Sequence, residues 1–371
     1  MEIRGIKYIS PAFDPSGYGQ ASRGYILALH KLGIPLTLAP VAFDKDSPAQ
    51  GEADKILRSL VNKQIDYNIV ITHLTPEFWE QKREPDKFNI GYTVWETDKL
   101  HPSWPGWINK MDMVMCSSEF NVEVFKNSGV TIPIISIPHG MDMSEFENIE
   151  PFQVSGVKPD AYKFYSIMQF TERKNPMALL KSYWHAFPNK ENVALILKTY
   201  RSNFSEGEKD AIRATVKKLK EVSPADNYPP IYLVLDMLSR QEVLGLHKFG
   251  DCCISLDRGE GFGLSPAEGG ASGNPIIVTG WGGCLEYAKP DNSYLVNYTL
   301  TPVSGMNWSP WYRIDQLWAE PDLADAAAKM RKIYQDQRYA SDRGIALKNF
   351  ISTELSWDKV TNKMLDAIKS V

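Results

Sequence analysis

The 371-residue chain is poor in cysteine and histidine, with four of the first and six of the second. Cys116, Cys252, Cys253 and Cys284 sit in apolar or glycine-rich surroundings, without the Cys and His spacing of a zinc site. Cys252 and Cys253 are adjacent in an apolar run, so in a strand they point to opposite faces. A disulfide framework is disfavoured, and buried free thiols in a reducing cytosol are expected. No apolar run reaches the roughly 18 residues of a membrane helix. The opening Met1-Glu2-Ile3-Arg4-Gly5 lacks a signal-peptide layout. A cytoplasmic protein, peripheral to a membrane at most, is expected. Charge of one sign is also lacking: the net value is −4, which gives no global grip on nucleic acid or an anionic membrane. Short-period repeats and low-complexity tracts are absent from the sequence.

What is present reads as two globular cores. Hydrophobic residues make up 43% and charged residues 23%, ordinary usage for a soluble fold. Single cores usually stop growing near 250–300 residues. Short apolar runs alternate with amphipathic stretches along the chain, which argues for parallel doubly wound sheets. Strands are expected at 6–9, 35–41, 67–72, 88–94, 111–116 and 132–137, and again at 163–168, 193–199, 231–235, 252–256, 275–279 and 293–296. Helices are expected between them, with two closing helices at 322–337 and 357–368. Residues 143–160 lack a clear period and read as a linker. The expected division is 1–150, with a closing helix at 357–371, and 151–356. The stretch 297–314, rich in Pro, Trp and Tyr, reads as a long loop.

One stretch carries most of the chemistry. The strand ending at Leu256 runs into Asp257-Arg258-Gly259-Glu260-Gly261-Phe262-Gly263-Leu264-Ser265-Pro266-Ala267-Glu268. A strand, a glycine turn and a helix start place free backbone N–H groups and a positive dipole end at one point, which suits a phosphate or diphosphate. Two acids flank it, Glu260 in the turn and Glu268 inside the helix. Ionised carboxylates only accept hydrogen bonds, so they suit ribose and sugar hydroxyls. The combination reads as a nucleotide-sugar site.

From Glu260 to Pro275 the chain resembles the E-x(7)-E signature of retaining glycosyltransferases of family 4. That resemblance implies an α/β GT-B fold: two facing Rossmann-like domains, an interdomain cleft and a C-terminal helix crossing back to the N-terminal domain. It also implies a metal-independent transferase acting on a nucleoside-diphosphate sugar, with an acceptor left unidentified. Gln169-Phe170-Thr171-Glu172-Arg173-Lys174-Asn175-Pro176 resembles the family's diphosphate-binding segment. Lys174 falls on the family's lysine, Gln169 replaces its arginine and Asn175 its glycine.

The implied roles follow residue by residue. Glu260 meets the donor sugar, and Lys174 and Arg173 neutralise the diphosphate. Glu268 accepts from the ribose, while Arg258, Gly261, Phe262, Gly263 and Leu264 complete the donor site. Gly17 and Gly19 belong to a glycine loop that GT-B enzymes place near the donor phosphates, although turn geometry alone also explains them. The family's usual first-domain histidine is missing at Thr93-Val94-Trp95-Glu96-Thr97. Glu96 is the candidate replacement, with Trp95 stacking on a ring. His139, in Pro138-His139-Gly140, is a further donor-side candidate or a histidine bonded to backbone. A catalytically silent nucleotide- or sugar-binding protein, and a transferase acting on nucleic acid, remain alternatives at this level.

Overall fold

A computed structural model describes residues 1–42, 51–188, 191–222 and 228–371. Two compact units emerge, Met1–Asp142 with Thr353–Val371, and Met143–Ser352.

In the first unit the strands are β1 (Ile6–Ser10), β2 (Leu36–Pro40), β3 (Ile69–His73), β4 (Phe88–Tyr92), β5 (Met113–Cys116) and β6 (Ile134–Ser136). They form one parallel sheet in the order β2-β1-β3-β4-β5-β6. Helices α1 (Gly17–Lys31), α2 (Gly51–Leu60), α3 (Trp79–Lys82), α4 (Trp104–Ile108) and α5 (Glu119–Asn127) connect them. Strands buried on both faces read as continuous apolar runs, as Ile69-Val70-Ile71 does. Helix α1 begins at Gly17, because Ser16 caps it by accepting from the Gly19 amide. Only glycine fits at 19: a Cβ there would lie 2.0 Å from the Asp14 carbonyl oxygen.

The second unit contains β7 (Tyr162–Gln169), α6 (Pro176–Ala186), β8 (Val193–Tyr200), α7 (Glu206–Glu221), β9 (Ile231–Val234), α8 (Arg240–Phe249), β10 (Cys252–Ser255), α9 (Leu264–Ala271), β11 (Ile276–Thr279) and β12 (Tyr294–Val296). Its parallel sheet runs β12-β11-β10-β7-β8-β9. The order of connection therefore reverses between β7 and β10, which are direct neighbours. In open α/β sheets ligands gather at the carboxyl ends of the strands beside such a reversal.

The tail departs from the sequence expectation. Strand β12 is followed by an antiparallel hairpin of β13 (Tyr298–Pro302), inside the stretch 297–314 that reads as a loop, and β14 (Leu317–Pro321), just beyond it. Short strands with most side chains exposed give no apolar alternation to detect. After α10 (Leu323–Gln335) comes an unexpected helix, α11 (Gln337–Glu354), whose Leu347 and Ile351 cover Gly270 of α9. The last helix, α12 (Trp357–Lys369), buries Val360, Met364 and Ile368 in the first unit, at the spacing that places them on one helical face. Trp357 lies where a Cβ on Gly24 or Gly140 would stand, 1.9 and 2.4 Å away.

Candidate functional site

Two loops leave adjacent strands of the second unit and meet. The loop after β7 carries Arg173 and Lys174, and the loop after β10 carries Asp257 to Gly263. Their backbones are joined where the Arg258 amide donates to the Arg173 carbonyl at 2.8 Å. Arg173 Nη1 donates to the Gly259 carbonyl at 2.7 Å and lies 3.4 Å from Glu260 Oε2. Lys174 Nζ forms an ion pair with Glu260 and lies 3.8 Å from Asp257 Oδ1. Asp257 is nearly buried, so the ammonium is its compensating charge. Two cations are thus concentrated at the reversal, held in place by carboxylates.

Asn175 follows in the left-handed region, with φ 51° and ψ 53°, and its side chain accepts from the Ala178 amide to cap α6. This accounts for Asn where the resembling segment has Gly. Asn tolerates this conformation better than most residues and adds a cap that Gly lacks.

The glycine turn is built by close approach. Gly263 has φ 82° and caps α9, and its carbonyl accepts from the Tyr287 hydroxyl at 2.6 Å. The Gly283 amide donates to the Glu260 carbonyl at 2.7 Å, and a Cβ on Gly283 would lie 1.8 Å from the Gly261 carbonyl oxygen. Phe262 is buried against Tyr287, ring centroids 5.2 Å apart, and anchors the turn from beneath. Leu264 is the first residue of α9.

Arg258 is occupied by its own unit. Its Nη1 donates to the Glu172 carbonyl at 2.6 Å, its Nε pairs with Glu320 of β14 at 2.5 Å, and its guanidinium lies 5.1 Å above the Trp318 ring. Glu320 also accepts from Asn175 Nδ2 at 3.2 Å. The hairpin missed from the sequence therefore braces the loop that presents Lys174. Nothing in the residue pattern around Glu320 announces this, since the pairing depends on a hairpin whose first strand reads as a loop.

Glu268 lies one turn inside α9 and is buried. Burial by itself raises a carboxyl pKa, but Arg240 and His247 overcome it and hold this one at about 2. Arg240 Nη1 meets Oε1 at 2.5 Å, and His247 Nε2 lies 3.4 Å from Oε2. Arg240 also pairs with Glu145 at 2.6 Å. Neither Arg240 nor His247 was singled out by sequence reasoning; both lie on α8, and only the packing of α8 beside α9 reveals them.

In the first unit, the loop after β1 and the segment after β4 come together. The Tyr18 hydroxyl, between Gly17 and Gly19, lies 2.8 Å from Thr93 Oγ1. Burial raises the Tyr18 pKa, and the Glu96 charge adds to the shift. Glu96 is half-buried, and Gly17 stands exposed at the start of α1. Trp95 does not fit the expectation of ring stacking on a ligand. It is 3% exposed, donates Nε1 to Thr97 and to the Lys99 carbonyl, and packs edge-on against Trp104. His139 is buried in an aromatic cluster, its Nδ1 3.3 Å from the Tyr25 hydroxyl, and burial lowers its pKa to about 3. His73, at the end of β3, is held well below the usual imidazole value by burial and then by His139. Its Nδ1 lies 3.0 Å from the Tyr8 hydroxyl.

Among the described residues no group of three or more His, Cys, Asp or Glu side chains is arranged to hold a metal. No helix among them is long and apolar enough to cross a membrane. All four cysteines are buried, and none is in a disulfide.

No protein-family model matches the chain. A curated relative, an uncharacterized protein of Sulfolobus islandicus rod-shaped virus 1, is 24% identical over 222 residues, 58% of this chain and 58% of that protein. Solved structures resemble the chain over nearly its whole length. A sucrose-phosphate synthase from Thermosynechococcus elongatus superposes with a TM-score of 0.71 at 13% identity, covering 99% of this chain and 98% of the other. A glycosyltransferase from Rickettsia africae gives 0.68 at 16% identity, covering 100% and 99%. Anabaena HepE, solved with UDP and glucose, gives 0.65 at 11% identity, covering 99% and 100%. The chain has the GT-B fold, with one parallel Rossmann-like sheet in each unit.

Proposed function

We propose that the protein is a glycosyltransferase that moves a sugar from a nucleoside-diphosphate sugar to an acceptor hydroxyl, with retention at the anomeric carbon and without a metal. The observation that carries this reading is the placing of Lys174 and Arg173 beside the Gly261–Gly263 turn, where β7 and β10 end. In the reaction the bond between the anomeric carbon and the diphosphate oxygen breaks. A bond to the acceptor oxygen forms, and the acceptor proton passes to the departing diphosphate. The developing charge sits on the diphosphate. Lys174, Arg173 and the amides at the start of α9 supply preorganised positive potential there, so the protein's own groups do the neutralising. Glu260 pairs with both cations and faces the donor sugar. Glu268, fully ionised, accepts from the ribose. Glu96 takes the first-unit role next to the sugar.

The HepE structure, which holds UDP and glucose, supports UDP-glucose as the first donor to try. The test is proton NMR of UDP-glucose incubated with the protein in EDTA. Release or transfer of an α-configured product, lost in Lys174→Ala, is the expected result. A β-configured first product would refute retention, and recovery of activity only on adding a divalent cation would refute metal independence.

A further inference from the structure

Glu268 is approached by a buried chain of hydrogen bonds whose members play no part in the reading above. Asn274 Nδ2 donates to the Tyr165 hydroxyl at 2.9 Å and to the His247 carbonyl at 2.7 Å. The Tyr165 hydroxyl lies 2.9 Å from His247 Nδ1. The amide fills one acceptor position of the phenol oxygen, so its single proton is directed to the imidazole nitrogen, a better acceptor than the nearby Cys253 sulfur. An Nδ1 that accepts fixes the neutral tautomer with its proton on Nε2. That Nε2 is buried without a hydrogen-bond partner and stands 3.4 Å from Glu268 Oε2.

The sequence makes room for this chain with two glycines. A Cβ on Gly250 would lie 2.1 Å from the Tyr165 ring, and one on Gly269 would lie 3.1 Å from its hydroxyl. Gly269 directly follows Glu268, so the phenol reaches the α9 backbone at the carboxylate itself. His247 and Tyr165 are fully buried, which makes an unpaired N–H there costly and drives it toward the carboxylate.

We propose that Tyr165 and His247 are positioning residues that orient Glu268 to read the ribose hydroxyls of the nucleotide, making the site selective for ribonucleotides over 2′-deoxyribonucleotides. This rests on the donor-site reading above. Arg240 pairs with Oε1 and the His247 N–H faces Oε2 at 3.4 Å, so the carboxylate that meets a diol is oriented from both sides. A carboxylate presented in this way rewards a hydroxyl and gains nothing from its absence.

The experiment is calorimetric titration with UDP, GDP and ADP and with their 2′-deoxy forms. Wild type is compared with Tyr165→Phe, His247→Leu, His247→Gln and Glu268→Gln. The expected wild-type preference for the ribonucleotide is about tenfold, the scale of one hydrogen bond to a charged group. His247→Leu and Tyr165→Phe should lower affinity for the ribonucleotide and leave that for the 2′-deoxy form unchanged, so the ratio falls toward one. His247→Gln, which keeps an N–H in reach, should restore part of the ratio. His247→Leu added to Glu268→Gln should cost no more than Glu268→Gln alone. A purely structural role would instead lower both affinities together. Tight binding with an unchanged ratio in His247→Leu overturns the positioning role and leaves the donor site standing. Failure of wild type to bind any of the six overturns both.

Discussion

Arg258 and Glu320 are joined across the second unit, Nε to Oε2 at 2.5 Å, and the same carboxylate accepts from Asn175. The pair ties the β13–β14 hairpin to the loop that carries Lys174. Glu320→Ala should loosen that loop and weaken UDP binding about three- to tenfold, without removing any group from the donor itself. The pair is partly exposed, so its electrostatic worth is modest, and the loss should show in affinity more than in melting temperature. Unchanged UDP affinity by calorimetry would make the hairpin a bystander.

Asn175 is held at φ 51° and caps α6. Asn175→Ala loses the cap and keeps the strained backbone, at a cost of about 1–3 kcal/mol. Asn175→Gly relieves the backbone and should cost less. Melting temperatures in the order wild type, Gly, Ala are expected, at roughly 2–4 °C per kcal/mol. The reverse order of the two variants would show that the cap outweighs the backbone.

Trp357 seats the last helix against Gly24 and Gly140. Trp357→Ala should destabilise the first unit by about 3–5 kcal/mol. Gly24→Ala should do the same from the other side, because its Cβ has no space unless the indole moves. Calorimetric unfolding of each variant checks this, and a wild-type transition for Gly24→Ala would exclude the packing described.

Acid should act on the two units in different ranges. His73 and His139 are neutral and buried, with pKa values below the unfolded value near 6.5. Their stabilisation is complete above that value and is lost as pH falls from about 6.5, for His139 down to about 3. Each imidazole contributes at most about 1.4 kcal/mol per pH unit. Glu268 has a pKa depressed to about 2, so its contribution is complete above about 4.5 and lost only below that. The first unit should therefore soften between pH 6.5 and 5 while the second holds. Scanning calorimetry over that range with one flat, joint transition would contradict this assignment.

Glu96 stands at the end of β4 beside Tyr18. Glu96→Gln should lower the rate of sugar transfer by tenfold or more while UDP affinity stays within about twofold, since a group acting on the reacting sugar and not on the nucleotide moves kcat. If both quantities stay at the wild-type level, Glu96 is a surface charge.

Much of the fold was legible because its signal is local. Buried parallel strands are unbroken apolar runs, as at 69–73 and 193–200, and their alternation with amphipathic helices implies the doubly wound sheets. The acid–glycine turn at 259–263 was legible for the same reason: strand, turn and helix follow one another in the chain. What escaped depends on partners distant in sequence. Strand β13 shows no alternation because its side chains are mostly exposed. Trp95 is a separate case: its partners Thr97 and Trp104 are near in sequence, but an irregular loop and a short helix fold them over the ring without any periodic signal. Arg240 and His247 carry ordinary helical spacing, and their approach to Glu268 follows from how α8 and α9 pack.

In the proposed donor site Lys174 holds the diphosphate. Calorimetric titration of UDP into the protein in EDTA, repeated with Lys174→Ala, tests this. Saturable binding that weakens at least about tenfold in the variant is the predicted result. Equal affinity in the two proteins, or binding only after a divalent cation is added, would contradict it.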